Sequence, residues 1–214
     1  MFKNYLIIAK RTLLKKVVLT ILNISGLAIG IASASLIFHY INFESSFDKY
    51  HKNYENIYRL TYGRTSSDGS DVEFASACPA IAPLLKENFP EIETIARLAV
   101  REGIFAYNEN RFLEKKIYYA EQEIFNILHF NIIMGSKKKA LTEPNQILIS
   151  KKVAHRYFGD ADPIGKRLKL DKKEDYEIVA VFDDVPGNSH LKPEILIAFP
   201  NLANGRGDEY LESW

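Results

Sequence analysis

The sequence predicts an α+β protein: one N-terminal transmembrane helix followed by a mixed α/β extracytoplasmic domain. Three observations carry this reading. Val17 to Phe43 contains no Lys, Arg, Asp or Glu, and about 20 apolar helical residues suffice to cross the roughly 30 Å hydrocarbon core of a bilayer. Lys3, Lys10, Arg11, Lys15 and Lys16 precede this run with no acidic residue among them, while the rest of the chain is net acidic. The positive-inside bias therefore places the N-terminus in the cytoplasm and the residues after the span outside. Beyond Glu44, apolar periods of about 2 and about 3.6 residues are interspersed without regular βαβ alternation, which favours α+β.

Residues 1–16 read as a cytoplasmic amphipathic basic segment. Phe2, Tyr5, Leu6, Ala9 and Leu13 fall at helical spacing, with Lys3, Lys10 and Arg11 largely off that face. Such a helix lies in the headgroup region of the inner leaflet, with membrane lipid as its partner. Residues 17–43 form the span. A cleaved signal peptide is the competing reading, because Ala32-Ser33-Ala34 fits a small-residue cleavage site. Leu36, Ile37 and Phe38 continue the apolar run past it, which favours an uncleaved anchor. Gly26, Gly30 and Ala34 are spaced four apart and share one face; small residues at that spacing let a second helix approach closely in lipid. His39 beside Tyr40 suits the outer interface belt.

Residues 44–214 form the extracytoplasmic domain. Phe47, Tyr50, Tyr54 and Ile57 predict a short helix over Lys49 to Asn56, with Asp48 as N-cap. Ile57 to Tyr62 reads as a strand, Asp68-Gly69 as a turn and Val72 to Ala75 as the returning strand. A helix follows with Pro79 or Pro83 at its first position, an apolar face of Leu84, Leu85 and Phe89, and Pro90 as its stop. The period changes to two from Ile92 to Val100, a half-buried strand. Ile104 to Tyr107 and Phe112 to Tyr119 make a hairpin, Glu121 to Leu128 a helix, and Phe130 to Met134 a strand ended by Gly135. Gln146 to Ile149 is another strand, and Ser150 caps a helix carrying Val153, Ala154, Tyr157 and Phe158. Leu168 to Leu170 and Tyr176 to Phe182 form a second hairpin across Asp171 to Asp175. Pro186-Gly187-Asn188 is a turn, and Ile195 to Phe199 a last strand.

The chemistry-bearing residues have bland readings. Cys78 is the single cysteine and suits a small buried hydrophobe; no disulfide can form within the chain. His51, His129, His155 and His190 are too dispersed to propose a metal site. Asp160/Asp162 and Asp183-Asp184 sit beside Pro and Gly, where Asp bonds its own backbone. The chain contains no nucleophile elbow and no phosphate-binding loop of the Walker type. No catalytic, cofactor-binding or metal residue is therefore assigned. Basic residues beyond the N-terminus are scattered among acids, which argues against nucleic acid, and Lys137-Lys138-Lys139 reads as a solvated turn.

Several motifs carry a resemblance. Phe47-Asp48-Lys49-Tyr50-His51 is followed by Asn56-Ile57-Tyr58-Arg59-Leu60. Glu143-Pro144-Asn145, Ala154 through Tyr157-Phe158-Gly159-Asp160, and Asp162-Pro163-Ile164-Gly165-Lys166 come next. Val181 to Pro186 and Asn188-Ser189-His190 complete the set. In this order they resemble the periplasmic core domain of MacB-like (FtsX-like) ABC transporter permeases, in the form common in Bacteroidetes. The resemblance implies a permease working as a homodimer or paired permease with a separate or fused ABC-type ATPase subunit, in a bacterial inner membrane. It implies no binding residues. The resemblance also implies a core domain that continues and three further helices, so by comparison the expectation is a domain C-terminally truncated at Trp214. The expected function is coupling of a partner's ATP hydrolysis to extracytoplasmic movement, for efflux or mechanotransmission. The alternative is a singly anchored extracytoplasmic binding or sensor domain without an ATPase.

Overall fold

The structure is a computed structural model and describes residues 2–66, 68–137 and 140–203. The chain divides after Phe47 into two compact units. In the first, α1 (Phe2–Lys15) and α2 (Val17–Ser45) are separated at Lys16, whose φ of −119° and ψ of 57° leave the helical region. The Thr20 hydroxyl reaches across this break to the Leu13 carbonyl at 2.9 Å. None of α2 is buried, and it is long and apolar enough to cross a membrane. It runs two residues past the predicted Phe43, to Ser45.

The second unit opens with an exposed hairpin, β1 (Tyr62–Thr65) and β2 (Asp71–Phe74), then α3 (Ile81–Asn88). The remaining strands are β3 (Leu98–Tyr107), β4 (Asn110–Ala120), β5 (Ile132–Gly135), β6 (Gln146–Ser150), β7 (Arg167–Leu170), β8 (Glu174–Phe182) and β9 (Ile195–Ala198). Helix α4 (Ile124–Ile127) precedes β5, and α5 (Lys151–Phe158) follows β6. The strands run in the order β5-β8-β6-β9-β4-β3-β7, and β7 also pairs with β8. That last pairing closes six strands into a ring, with β5 appended to β8. Most neighbours are antiparallel, but β4 with β9 and β6 with β8 are parallel.

The closed sheet separates two apolar cores. Ile147, Ile149, Ile195 and Ile197 face one, with Phe105, Ile117, Tyr119 and the α5 side chains Val153 and Tyr157. Leu148, Leu196 and Ala198 face the other, with Ile124, Phe125 and Phe130. Strands buried on both faces are apolar at every position rather than alternating, as Ile147-Leu148-Ile149 and Ile195-Leu196-Ile197 are. Each such side chain contributes about 1.5–3 kcal/mol by leaving water. Strand β8 carries an irregularity between its pairings with Ile147 and Leu148. Its phase changes there: Tyr176 and Ile178 face the first core, while Ala180 and Phe182 face the second. Gly135 lies against this point at a φ of 82°, and a Cβ there would stand 2.2 Å from the Val179 carbonyl oxygen.

Several sequence expectations shift. Lys49 to Asn56 is not a helix but a series of turns ending in a 3-10 turn, Tyr54–Asn56. Asp48 and Asn53 have φ of 57° and 60°, which break a helix, and the Asp48 carboxylate is engaged elsewhere instead of capping. The strand expected from Ile57 begins only at Tyr62, where pairing with Phe74 begins. The strand expected from Ile92 begins at Leu98, because its partner β4 ends opposite it at Ala120. Helix α3 starts at Ile81, so Pro83 is its third residue, and Phe89 is exposed. The last strand stops at Ala198, with Phe199 entering a 3-10 turn that runs to Ala203. Cys78 is half-buried. Lys137 lies over the Phe125 ring and donates to the Phe125 carbonyl, so it is not a purely solvated turn residue; Lys138 and Lys139 lie outside the described residues, as does Trp214.

Candidate functional site

The two motif segments farthest apart in sequence meet in space. Asp48 stands three residues after the end of α2, and its backbone N–H donates to the Asn188 carbonyl at 3.0 Å. Its carboxylate takes the His190 backbone N–H at 3.0 Å on Oδ1 and lies 2.6 Å from His190 Nδ1 on Oδ2. The Tyr50 hydroxyl donates to Ser189 Oγ at 3.0 Å. Ser189, 1% exposed, lies 2.9 Å from Asp48 Oδ1 and 2.8 Å from the Leu191 carbonyl, one of which takes its proton. One turn farther on, buried His51 accepts the His129 backbone N–H on Nδ1 at 3.0 Å. Together these bonds form a clasp between residues 48–51 and the 188–191 loop, with His51 extending it to His129 in the connection between α4 and β5.

The electrostatics follow from this geometry. Burial pushes the Asp48 carboxyl up, but the His190 side chain and backbone N–H and the Ser189 hydroxyl outweigh it, so Asp48 stays below the usual carboxylate range. Burial lowers His51, with nearby His129 adding to the effect and Asp48 opposing it. A ring that accepts on Nδ1 while buried is neutral. Burial raises the Tyr50 hydroxyl.

A serine, a histidine and an aspartate in one cluster invite comparison with a hydrolase triad, and the geometry excludes it. Asp48 sits between the other two and binds each of them, whereas a triad places the imidazole on the serine hydroxyl. No group of three metal-ligating side chains exists among the described residues. Of the paired carboxylates, Asp162 and Asp183 bond locally, accepting the Ile164 and Asp184 N–H groups, whereas Asp184 accepts the N–H of Lys152, 32 residues away in the first turn of α5.

The other motifs lock the closed sheet. Asn145, at a φ of 62°, donates its N–H to Oδ1 of buried Asn201, whose Nδ2 donates back to Asn145 Oδ1. Ser150 caps α5 by accepting the Val153 N–H. Glu114 is 2% exposed and is held by Arg156 Nη1 at 2.6 and 2.7 Å and by the Tyr157 hydroxyl at 3.0 Å. Gly159 ends α5 at a φ of 59° and a ψ of −123°. Lys166 lies 4.9 Å from the Phe158 ring centroid.

The predicted packing residues Gly26, Gly30 and Ala34 all lie on exposed α2, and a Cβ added at either glycine meets nothing within 4 Å. The clasp was not read from the sequence, although each half was noted as a motif. No local signal marks it, because Asp48 reads as a helix cap and His190 follows the Pro186-Gly187 turn, and only the long-range bond joins them.

The profile of the MacB-like periplasmic core domain matches residues 20–211. The chain belongs to that family. The family is the non-catalytic periplasmic part of permeases, so this MacB-like chain is a membrane-anchored protein whose domain beyond the apolar helix is extracytoplasmic. Among solved structures, a domain of a candidate permease protein from Porphyromonas gingivalis is similar at 24% identity and a TM-score of 0.57, with 67% of this chain and 65% of that one covered. The extracellular domain of the noncanonic ABC-type transporter YknZ from Gram-positive bacteria is similar at 18% identity, a TM-score of 0.46, and 55% and 60% coverage. The periplasmic region of MacB from Actinobacillus actinomycetemcomitans is similar at 14% identity, a TM-score of 0.48, and 60% and 56% coverage. The MacB-like chain thus spans less than two thirds of the length of these structures. Comparison with curated proteins finds no match.

Proposed function

We propose that this chain supplies the first membrane helix and core domain of a permease subunit, paired with a second permease subunit and driven by an ABC-type ATPase in the cytoplasm. In this reading the N-terminus is cytoplasmic, the membrane is the bacterial inner membrane, and ATP hydrolysis is passed along α2 to the extracytoplasmic domain for efflux or mechanotransmission. The clasp carries it. Asp48 follows α2 by three residues and is bonded to the loop that leads into β9, which lies between β6 and β4. A displacement reaching Asp48 is therefore passed to the middle of the sheet through short, charge-assisted bonds rather than absorbed in a slack linker.

The test is to purify the full chain from its native membranes and measure the maleimide labelling rate at Cys78, the single cysteine, with and without ATP. An ATPase should co-purify, and the labelling rate should depend on ATP. Asp48→Asn should keep the ATPase bound while weakening that dependence. No ATPase partner and a labelling rate indifferent to ATP would instead favour a singly anchored binding or sensor domain.

A further inference from the structure

Helix α1 ends at a break rather than running on into α2. Lys16 leaves helical geometry, and the Thr20 hydroxyl holds the Leu13 carbonyl across the gap. The 14 residues of α1 therefore form an element distinct from the span. Its surface is exposed and apolar at Tyr5, Leu6 and Leu13, and exposed and cationic at Lys3, Lys10, Arg11 and Lys15. Residues 1–16 include no Asp or Glu. Any occupant of this surface must therefore offer apolar area and negative charge together. Helix α1 is also one residue from a helix long enough to cross a bilayer, so a lipid surface lies next to it wherever the span is inserted.

We propose that α1 is a docking surface for anionic phospholipid headgroups, its apolar side chains at the acyl boundary and Lys3, Lys10, Arg11 and Lys15 among the phosphates. Lipid is the occupant that this charge pattern and this position select together. A helix held by its apolar side alone would bind neutral and anionic bilayers equally; the cations make binding depend on surface charge and on salt. The inference does not rest on ATPase coupling, and it holds for either orientation of the span.

The test uses the full chain with Cys78→Ser and Leu6→Cys, labelled at position 6 with an environment-sensitive fluorophore. It is reconstituted into vesicles of phosphatidylcholine alone or mixed with phosphatidylglycerol. In the anionic vesicles the fluorophore should shift to the blue and resist an aqueous quencher, and added salt should reverse both. Lys10→Gln should lower the ratio of protected to accessible label about fivefold, and Arg11→Gln should lower it by a similar factor. Equal protection in the two lipids would overturn the proposal and leave only apolar adsorption. Protection found in native membranes but lost on reconstitution would also overturn it and assign α1 to a protein partner.

Discussion

At Asp48 a left-handed backbone and a carboxylate meet one requirement. The φ of 57° turns the chain so that its N–H and both oxygens face the 188–190 backbone and side chains. Asn tolerates that conformation as well as Asp does, so Asp48→Asn keeps the backbone but removes the charge and turns one of the two accepting oxygens into a donor. It should destabilise the domain by about 1–2 kcal/mol, the range for losing a charged hydrogen-bond acceptor that is partly exposed, as read by denaturant unfolding. The clasp should also weaken in acid, in two steps of the same sign. His51 has a lowered pKa in the fold, so its contribution is complete above the ordinary value of about 6.5 and declines as pH falls through that value toward the folded one. Asp48 is lowered as well; its contribution is complete above about 3.9 and is lost as pH falls through the folded pKa. Unfolding followed from neutral pH downward should show the first loss near the histidine range, and His51→Phe should abolish that step. Glu114 poses a harder case. Arg156→Ala would leave a buried carboxylate without its cation, which costs about 3–5 kcal/mol where a buried pair is broken on one side. Thermal unfolding should separate it clearly from the milder Asp48→Asn.

Two elements end on glycine for different reasons, and substitution should tell them apart. Gly159 closes α5 with open space where a Cβ would stand, so Gly159→Ala costs backbone strain alone, about 1–3 kcal/mol. Gly135 ends β5 with both a positive φ and the Val179 carbonyl in the way. Gly135→Ala should therefore cost more than Gly159→Ala and should loosen β5 from β8, visible as faster amide exchange at Val181. In α2, Gly30→Leu should weaken helix association in membranes while leaving insertion intact, as a packing face of Gly26, Gly30 and Ala34 requires. An association assay in lipid checks it, and an unchanged result would mean that the face points at lipid. Elements of this kind were legible where local chemistry decides them: the Ser150 cap, the hairpin of Ile104 to Tyr107 with Phe112 to Tyr119, and the uncharged run of α2. Those set by distant partners were not. Nothing near Ile92 announces that β4 ends opposite Leu98. The parallel pairing of β4 with β9 joins segments about 80 residues apart in a register that no local pattern encodes. The clasp was hidden for the same reason, since Asp48 reads as a helix cap until His190 is placed beside it.

For the whole molecule, the direction of insertion is open to a direct measurement because the chain holds one thiol. Cys78 is half-buried and lies beyond the span. In intact spheroplasts a membrane-impermeant maleimide should label it, and Cys78→Ser should remove the signal. Labelling that requires lysis would reverse the orientation.

The closed ring also sets an order of events. Strand β9 lies between β6 and β4, yet among the described residues it comes last of the strands in sequence order. Until Ile195 to Ala198 have emerged, β4 and β6 each lack a neighbour, and the ring cannot shut. A growing chain therefore carries two apolar strands whose shared neighbour is made after both of them, and the four-residue β9 fills the gap between them as a keystone does. Pairings between such distant segments are slow to form and leave edges open meanwhile. A chain interrupted before Ile195 is thus left with two open strand edges, not merely one missing piece.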